Sequence, residues 1–118
     1  MLEFVSMRNF EPDQRRQTRF KLETPVSFQV RGRPEFVTTL TSDISNNGLG
    51  FDSDAFIPNN TLIMLEVPVL AKVIHPVGRI AWSASMVHSD RYRIGVEFME
   101  MDPAEKHYLK DYLSLKEQ

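Results

Sequence analysis

Apolar and polar residues alternate with a period of two along most of this chain. Only the last stretch takes up the wider spacing of a helix. Tyr92, Ile94, Val96 and Phe98 alternate with Arg93, Gly95 and Glu97, the clearest half-buried strand pattern in the sequence. Val26, Phe28 and Val30 alternate with Ser27, Gln29 and Arg31, which predicts a first strand over Leu22 to Arg31, closed by the turn Gly32-Arg33-Pro34. Phe36 to Ile44, rich in β-branched Val and Thr, reads as a second strand with a polar threonine face. Ser45 to Gly48 turns the chain, and Leu49-Gly50-Phe51 resumes as a short third strand. Thr61 to Val67 is almost continuously apolar and is expected to be a deeply buried strand, checked by Pro68. Val69 to Ile74 and Val77 to Ala84 follow as a strand, or a strand pair, broken at His75-Pro76. Val87 to Arg91 is a polar connection.

The helix is predicted at the end. Asp102-Pro103-Ala104-Glu105 combines an N-cap, proline at the first helical position and a Glu placed for a capping box. Ala104, Tyr108, Tyr112 and Leu115, flanked by Leu109 and Leu113, form an apolar stripe to lie against a sheet. Six or so short strands with no long helix between them favour a closed antiparallel barrel, since closure removes exposed strand edges. The expected class is therefore all-β with a C-terminal helix.

Composition narrows the possibilities further. At 118 residues the chain is expected to be a single domain able to bury one core without disulfide or metal. A formal net charge of −2 gives no global attraction to nucleic acid or anionic membrane. There is no cysteine, which excludes thiolate chemistry and agrees with a reducing compartment. No apolar run approaches the roughly 20 residues that span a bilayer, and the first residues lack the form of a signal peptide. The expectation is a stand-alone cytoplasmic module. Locally the charge differs: Arg8, Arg15, Arg16, Arg19 and Lys21 outnumber Glu11 and Asp13 ahead of the first strand.

Catalysis finds little support. His75, His88 and His107 lie in separate segments without metal-ligand spacing, and no nucleophile elbow is present. Asp52-Ser53-Asp54 lacks the further ligands of a calcium loop and reads as a solvated turn. Trp82 is expected in the core, with a place flanking a bound ligand as the other reading, and Gly95 is expected to relieve packing where strands cross. A binding protein is the expectation.

Two short motifs point to what it binds. Arg15 and Arg19, four residues apart, present two planar cationic forks on one face. Asp43 and Ser45, two apart, are expected on one side of an extended strand, with Gly48 turning the chain at positive φ and leaving room for close approach. Guanidinium forks suit phosphates and guanine edges, and a carboxylate accepts from guanine N–H groups. Arg15-x-x-x-Arg19 followed by Asp43-x-Ser45-x-x-Gly48, with strands between and behind, resembles the PilZ domain family of bacterial cyclic di-GMP receptors. Gly78-Arg79-Ile80-Ala81-Trp82 and Arg91 to Phe98 are similar to that family's closing strands.

The resemblance implies a six-stranded antiparallel β-barrel of split-barrel type. Residues 1–12, with scattered apolar positions ending at Glu11-Pro12, read as a leader packed on the barrel or else as a partner-binding or ligand-ordered segment, and 13–118 would be the barrel domain including a helix over 103–116. It implies cyclic di-GMP as ligand and no resident cofactor, with Arg15 and Arg19 on phosphates and guanine, Arg16 adding charge or a stacking plane, Asp43 and Ser45 contacting guanine or phosphate, and Gly48 permitting the turn. Ordering of the arginine arm by the dianion would then signal to a protein partner, with motility or exopolysaccharide production as outputs, from a monomer or dimer. Two other readings remain open: a ligand-independent PilZ-like adapter, and a small barrel binding single-stranded RNA.

Overall fold

The computed structural model of the chain describes residues 19–116, so the leader and Arg15 and Arg16 lie outside the described residues. Eight strands and one helix follow in order: β1 Phe20–Lys21, β2 Pro25–Val30, β3 Val37–Ile44, β4 Gly48–Ser53, β5 Leu62–Val69, β6 Lys72–Ile74, β7 Val77–Ser85, β8 Tyr92–Glu100 and α1 Pro103–Lys116. All the pairings are antiparallel. Running β3–β2–β5–β7–β8–β4 and back to β3, they close a six-stranded barrel.

The closure rests on β3. One of its edges carries β2 and, further along, the short β1; its other edge carries β4. Between β1 and β2 the chain breaks at Leu22–Thr24, and the buried Thr41 repairs the break. Its hydroxyl donates to the Leu22 carbonyl at 2.6 Å and lies 2.9 Å from that of Thr24. A buried hydroxyl needs such partners. The polar threonine face expected of this strand is thus partly internal.

Strand alternation builds the interior. Val26 and Phe28, Leu49 and Phe51, Ile63, Leu65 and Val67, Ile80, Ile94 and Val96 all point inward and are buried. Phe28 stacks on Phe51 with ring centroids 4.7 Å apart. The helix adds Leu109, Tyr112 and Leu113 to this cluster, and the Tyr108 hydroxyl donates to the Val69 carbonyl at 2.6 Å.

Several local expectations are corrected. β5 alternates instead of being buried throughout, with Met64 and Glu66 exposed, because only one face of a barrel strand meets the core. It runs through Pro68 to Val69, and Leu70 at φ 56 turns the chain into β6. On α1, Ala104 and Leu115 are exposed, so the buried stripe is Leu109, Tyr112 and Leu113 with Tyr108 half-buried. The Asp102 carboxylate accepts from the Ala104 amide at 2.8 Å. Glu105 leaves the capping box to accept from the His75 amide at 2.7 Å and to pair with its Nδ1 at 2.9 Å. Tertiary docking of the helix outweighs a local cap.

Among the described residues no helix is long and apolar enough to cross a membrane, and no group of His, Asp and Glu could hold a metal ion. Phe51→Ala should cost about 3–5 kcal/mol, because a stacked ring at the barrel centre leaves a cavity the closed sheet cannot collapse. A fall in the urea midpoint with unchanged slope would register it.

Candidate ligand-binding site

β1 brings the end of the arm to β3. Phe20 pairs with Ile44 and Lys21 with Asp43, so Arg19 emerges beside the acidic corner. Its Nε and Nη2 lie 3.3 and 3.1 Å from one carboxylate oxygen of Asp43, and both side chains are about one-third exposed, 38% and 34%. Such an exposed pair is worth about 0–1 kcal/mol. It is a contact that a better partner can displace.

Asp43 faces outward because of a β-bulge. Thr41 points into the barrel, and strict alternation would send Asp43 inward after it. The register slips between Thr41, paired with Phe51, and Asp43, paired with Gly50. Ser42 is the extra residue, and the slip places Asp43 on the outer face. Gly50 has no side chain to obstruct it: a Cβ there would lie 3.0 Å from Ser42 Oγ and 3.1 Å from Asp43 Oδ1. Ser42 Oγ is itself buried without a hydrogen-bond partner among the described residues.

The same device recurs across the sheet. Ile80 points inward opposite Val96, and the register slips before Trp82, which pairs with Gly95. Trp82 therefore lies outside at 45% exposure, against the expectation of a core residue. Its indole rests on Gly95, where a Cβ would come within 2.3 Å of Cε2. Gly95 does relieve packing, for this ring.

Gly50 and Gly95 are direct partners, so four strands carry one outward row: Asp43, Gly50, Gly95, Trp82. Three strand spacings of about 4.8 Å put the Asp43 and Trp82 backbones roughly 14 Å apart along a glycine floor, with the Ser42 and Asp43 side chains over Gly50 and the indole over Gly95. Ion pairs flank the floor on both sides. Arg93 Nε binds Asp52 at 2.8 Å in the next row, and Arg79 pairs with Glu97 in the row beyond the glycines. Asp52 and Asp54 are engaged by Arg93 and Arg91 respectively. The surface offers an acceptor, cationic forks, an exposed ring and a flat floor.

Ser45 and Gly48 take other places than expected. Period two stops where β3 ends at Ile44, so Ser45 does not share the face of Asp43. It is 1% exposed, its amide donates to the Gly48 carbonyl at 2.8 Å, and its Oγ accepts from the Asn47 amide at 3.2 Å. Gly48 does not have positive φ; among glycines only Gly32 does, at φ 89. What Gly48 admits is the neighbouring strand, since a Cβ would lie 2.0 Å from the Val96 carbonyl oxygen. Arg15 and Arg16 fall outside the described residues. The structure thus brings Arg19 and Asp43 together, buries Ser45 in the turn, and adds Ser42, Gly50, Gly95 and Trp82. Gly50 and Gly95 each sit between two inward apolar residues, which marks them as outward glycines in the sequence. Their pairing is not readable there.

The sequence matches the family model described as PilZ domain over residues 13–115. Among curated proteins none matches. The fold is similar to that of the Bacillus subtilis inhibitor of motility MotI/DgrA at TM-score 0.69 and 16% identity, covering 88% of this chain and 51% of that one. This chain therefore spans about half the length of that protein. It is similar to the PilZ domain of CeSA from a cellulose-synthesizing bacterium at TM-score 0.64 and 14% identity, covering 86% and 99%. It is also similar to the Borreliella burgdorferi PlzA protein, solved in complex with c-di-GMP, at TM-score 0.56 and 14% identity, covering 80% and 39%.

Gly95→Ala should expel the indole from its seat. Trp82 is the single tryptophan, so its emission should shift to longer wavelength while the far-ultraviolet circular dichroism stays unchanged. Ser45→Ala should lower stability by about 1 kcal/mol, through a lost turn hydrogen bond, in a thermal melt.

Proposed function

This chain belongs to the PilZ domain family, a family of receptor and adapter domains, and from that we propose that it binds cyclic di-GMP on the outer row that runs from Asp43 to Trp82. The observation that carries the reading is the convergence of Arg19, Asp43 and an exposed indole on a floor of two glycines. The complex of the similar PlzA protein with c-di-GMP supports the same ligand class.

In the proposed complex a guanine stacks on the exposed face of Trp82, which rests on Gly95, and reaches toward Asp43 over Gly50. Its N–H edge donates to the Asp43 carboxylate. Arg19, together with Arg15, turns to a phosphate or a guanine edge, and Arg16 adds charge or a stacking plane. Magnitudes favour the exchange. The Arg19–Asp43 pair is worth at most about 1 kcal/mol, whereas a bidentate arginine–guanine contact is worth roughly 1–3 kcal/mol. The unpartnered Ser42 hydroxyl sits at the edge of the floor and gains a polar neighbour. Ser45 acts by holding the turn that presents Asp43.

The proposed output is ordering of the arginine arm across this face. Like charges along the arm oppose compaction until a dianion neutralises them, and a protein partner then reads the altered surface. The shift is limited by the ligand's differential affinity for the two states. The outputs of this chain are proposed to lie in motility or exopolysaccharide control; the similar MotI is named an inhibitor of motility.

Calorimetry with cyclic di-GMP should show Arg19→Ala and Asp43→Ala each weakening binding by about 5- to 150-fold. Trp82→Ala should do so by roughly the worth of one stacked base, about 1–3 kcal/mol. Unchanged affinity in all three removes this face from consideration. Wild-type affinity should also fall as salt rises, because phosphate contacts are screened.

A further inference from the structure

We propose that the cleft between the turn Ser45–Asn47 and the first half of α1 is a docking site for an acidic, extended segment of a partner protein. The cleft has a volume of about 370 Å³ and is lined by Asn46, Asn47, Pro103, Lys106, His107 and Lys110. Both asparagines and both lysines are exposed.

Charge sets the occupant. Lys106 and Lys110, four residues apart, occupy one helix face. The nearby carboxylates are engaged: Asp102 caps the Ala104 amide, Glu105 is held by His75, and Asp111 lies 3.3 Å from His107 Nε2. No acidic residue among those described lines the cleft itself, which offers ammonium and amide donors, and these suit carboxylates.

Spacing sets the form of the segment. Four residues of helix advance about 6 Å, close to the roughly 6.6–6.8 Å between side chains two apart on an extended chain. A Glu-x-Glu segment matches both lysines at once. A phosphate fits the cleft less well. The first helical residue is Pro103, which has no N–H, and the next amide already donates to Asp102, so the usual anion seat of a helix start is closed. No arginine fork lines the cleft either.

The turn is a firm wall for such a partner. Asn47 donates its amide to Ser45 Oγ, and its carbonyl accepts from the Phe98 amide at 2.7 Å. The cleft shares this turn with Asp43, so a segment seated there lies beside the proposed ligand site. The docking itself does not depend on that ligand.

The test uses the full chain without dinucleotide, so its failure leaves the ligand reading standing. Fluorescence anisotropy is measured with a labelled Glu-x-Glu-x-Glu peptide and its Gln-x-Gln-x-Gln counterpart, x being Ser. The Glu peptide should bind and the Gln peptide should not. K106E/K110E should weaken binding roughly tenfold or more, while retaining the wild-type melting temperature. Should that variant fail to fold, K106Q/K110Q serves in its place. R31E/R33E makes the same charge change at the turn beyond the other end of β3 and should stay within about twofold of wild type. Three results would overturn the proposal: no binding of the Glu peptide, equal loss in the two reversal variants, or displacement of the peptide by inorganic pyrophosphate at lower concentration than by unlabelled peptide.

Discussion

A closed sheet gives each strand one face for the core and one for the outside, and period two assigns every side chain to one or the other. In this barrel that constraint would put Asp43 and Trp82 inside, in phase with the buried Thr41 and Ile80. Two bulges, at Ser42 and before Trp82, reverse the phase locally. Each leaves the strand paired on both sides of the slip, so closure survives. The outer surface gains an acid and an indole that the interior could not have held without unpaired charge or overpacking.

The glycines complete what the bulges begin. Gly50 lies under the Ser42 and Asp43 side chains, and Gly95 under the indole. Because the two are partners, the acid and the ring sit over adjacent glycines of neighbouring strands. The flanking rows close their charges into Arg93–Asp52 and Arg79–Glu97 pairs. The Arg19–Asp43 contact is longer, 3.1 Å against 2.8 Å for Arg93–Asp52, in a pair that is likewise exposed and of small worth. The proposed function uses that weakness, since a firmly held cation could not be recruited by a ligand.

The turn after β3 joins the two proposed surfaces. On one side it presents Asp43; on the other its asparagines form a wall against α1. The buried Ser45 and the close approach of Gly48 to Val96 make the turn a rigid part of the barrel. Glu105 and Tyr108 meanwhile anchor the helix to the far end of β5 and to the break before β7. Their hydrogen bonds set where Lys106 and Lys110 stand.

By itself, the order of residues determined much. The alternation of Tyr92 to Phe98, the turn at Gly32 and the helix from Pro103 were all legible, because period, turn chemistry and capping act over a few neighbours; of the arginine arm and its corner, the structure brings together Arg19 and Asp43. What lay beyond reach was decided across strands. The usual core place of a lone strand tryptophan does not hold for Trp82, and extrapolated period two wrongly joins Ser45 to Asp43, because a bulge or a strand end resets the phase without leaving a local signature. Gly48 leaves room for close approach as expected, but without positive φ, and what approaches is the backbone of Val96, a residue distant in sequence. Whether a side chain faces core or solvent is fixed by register with a partner strand, and only the closed sheet sets that register.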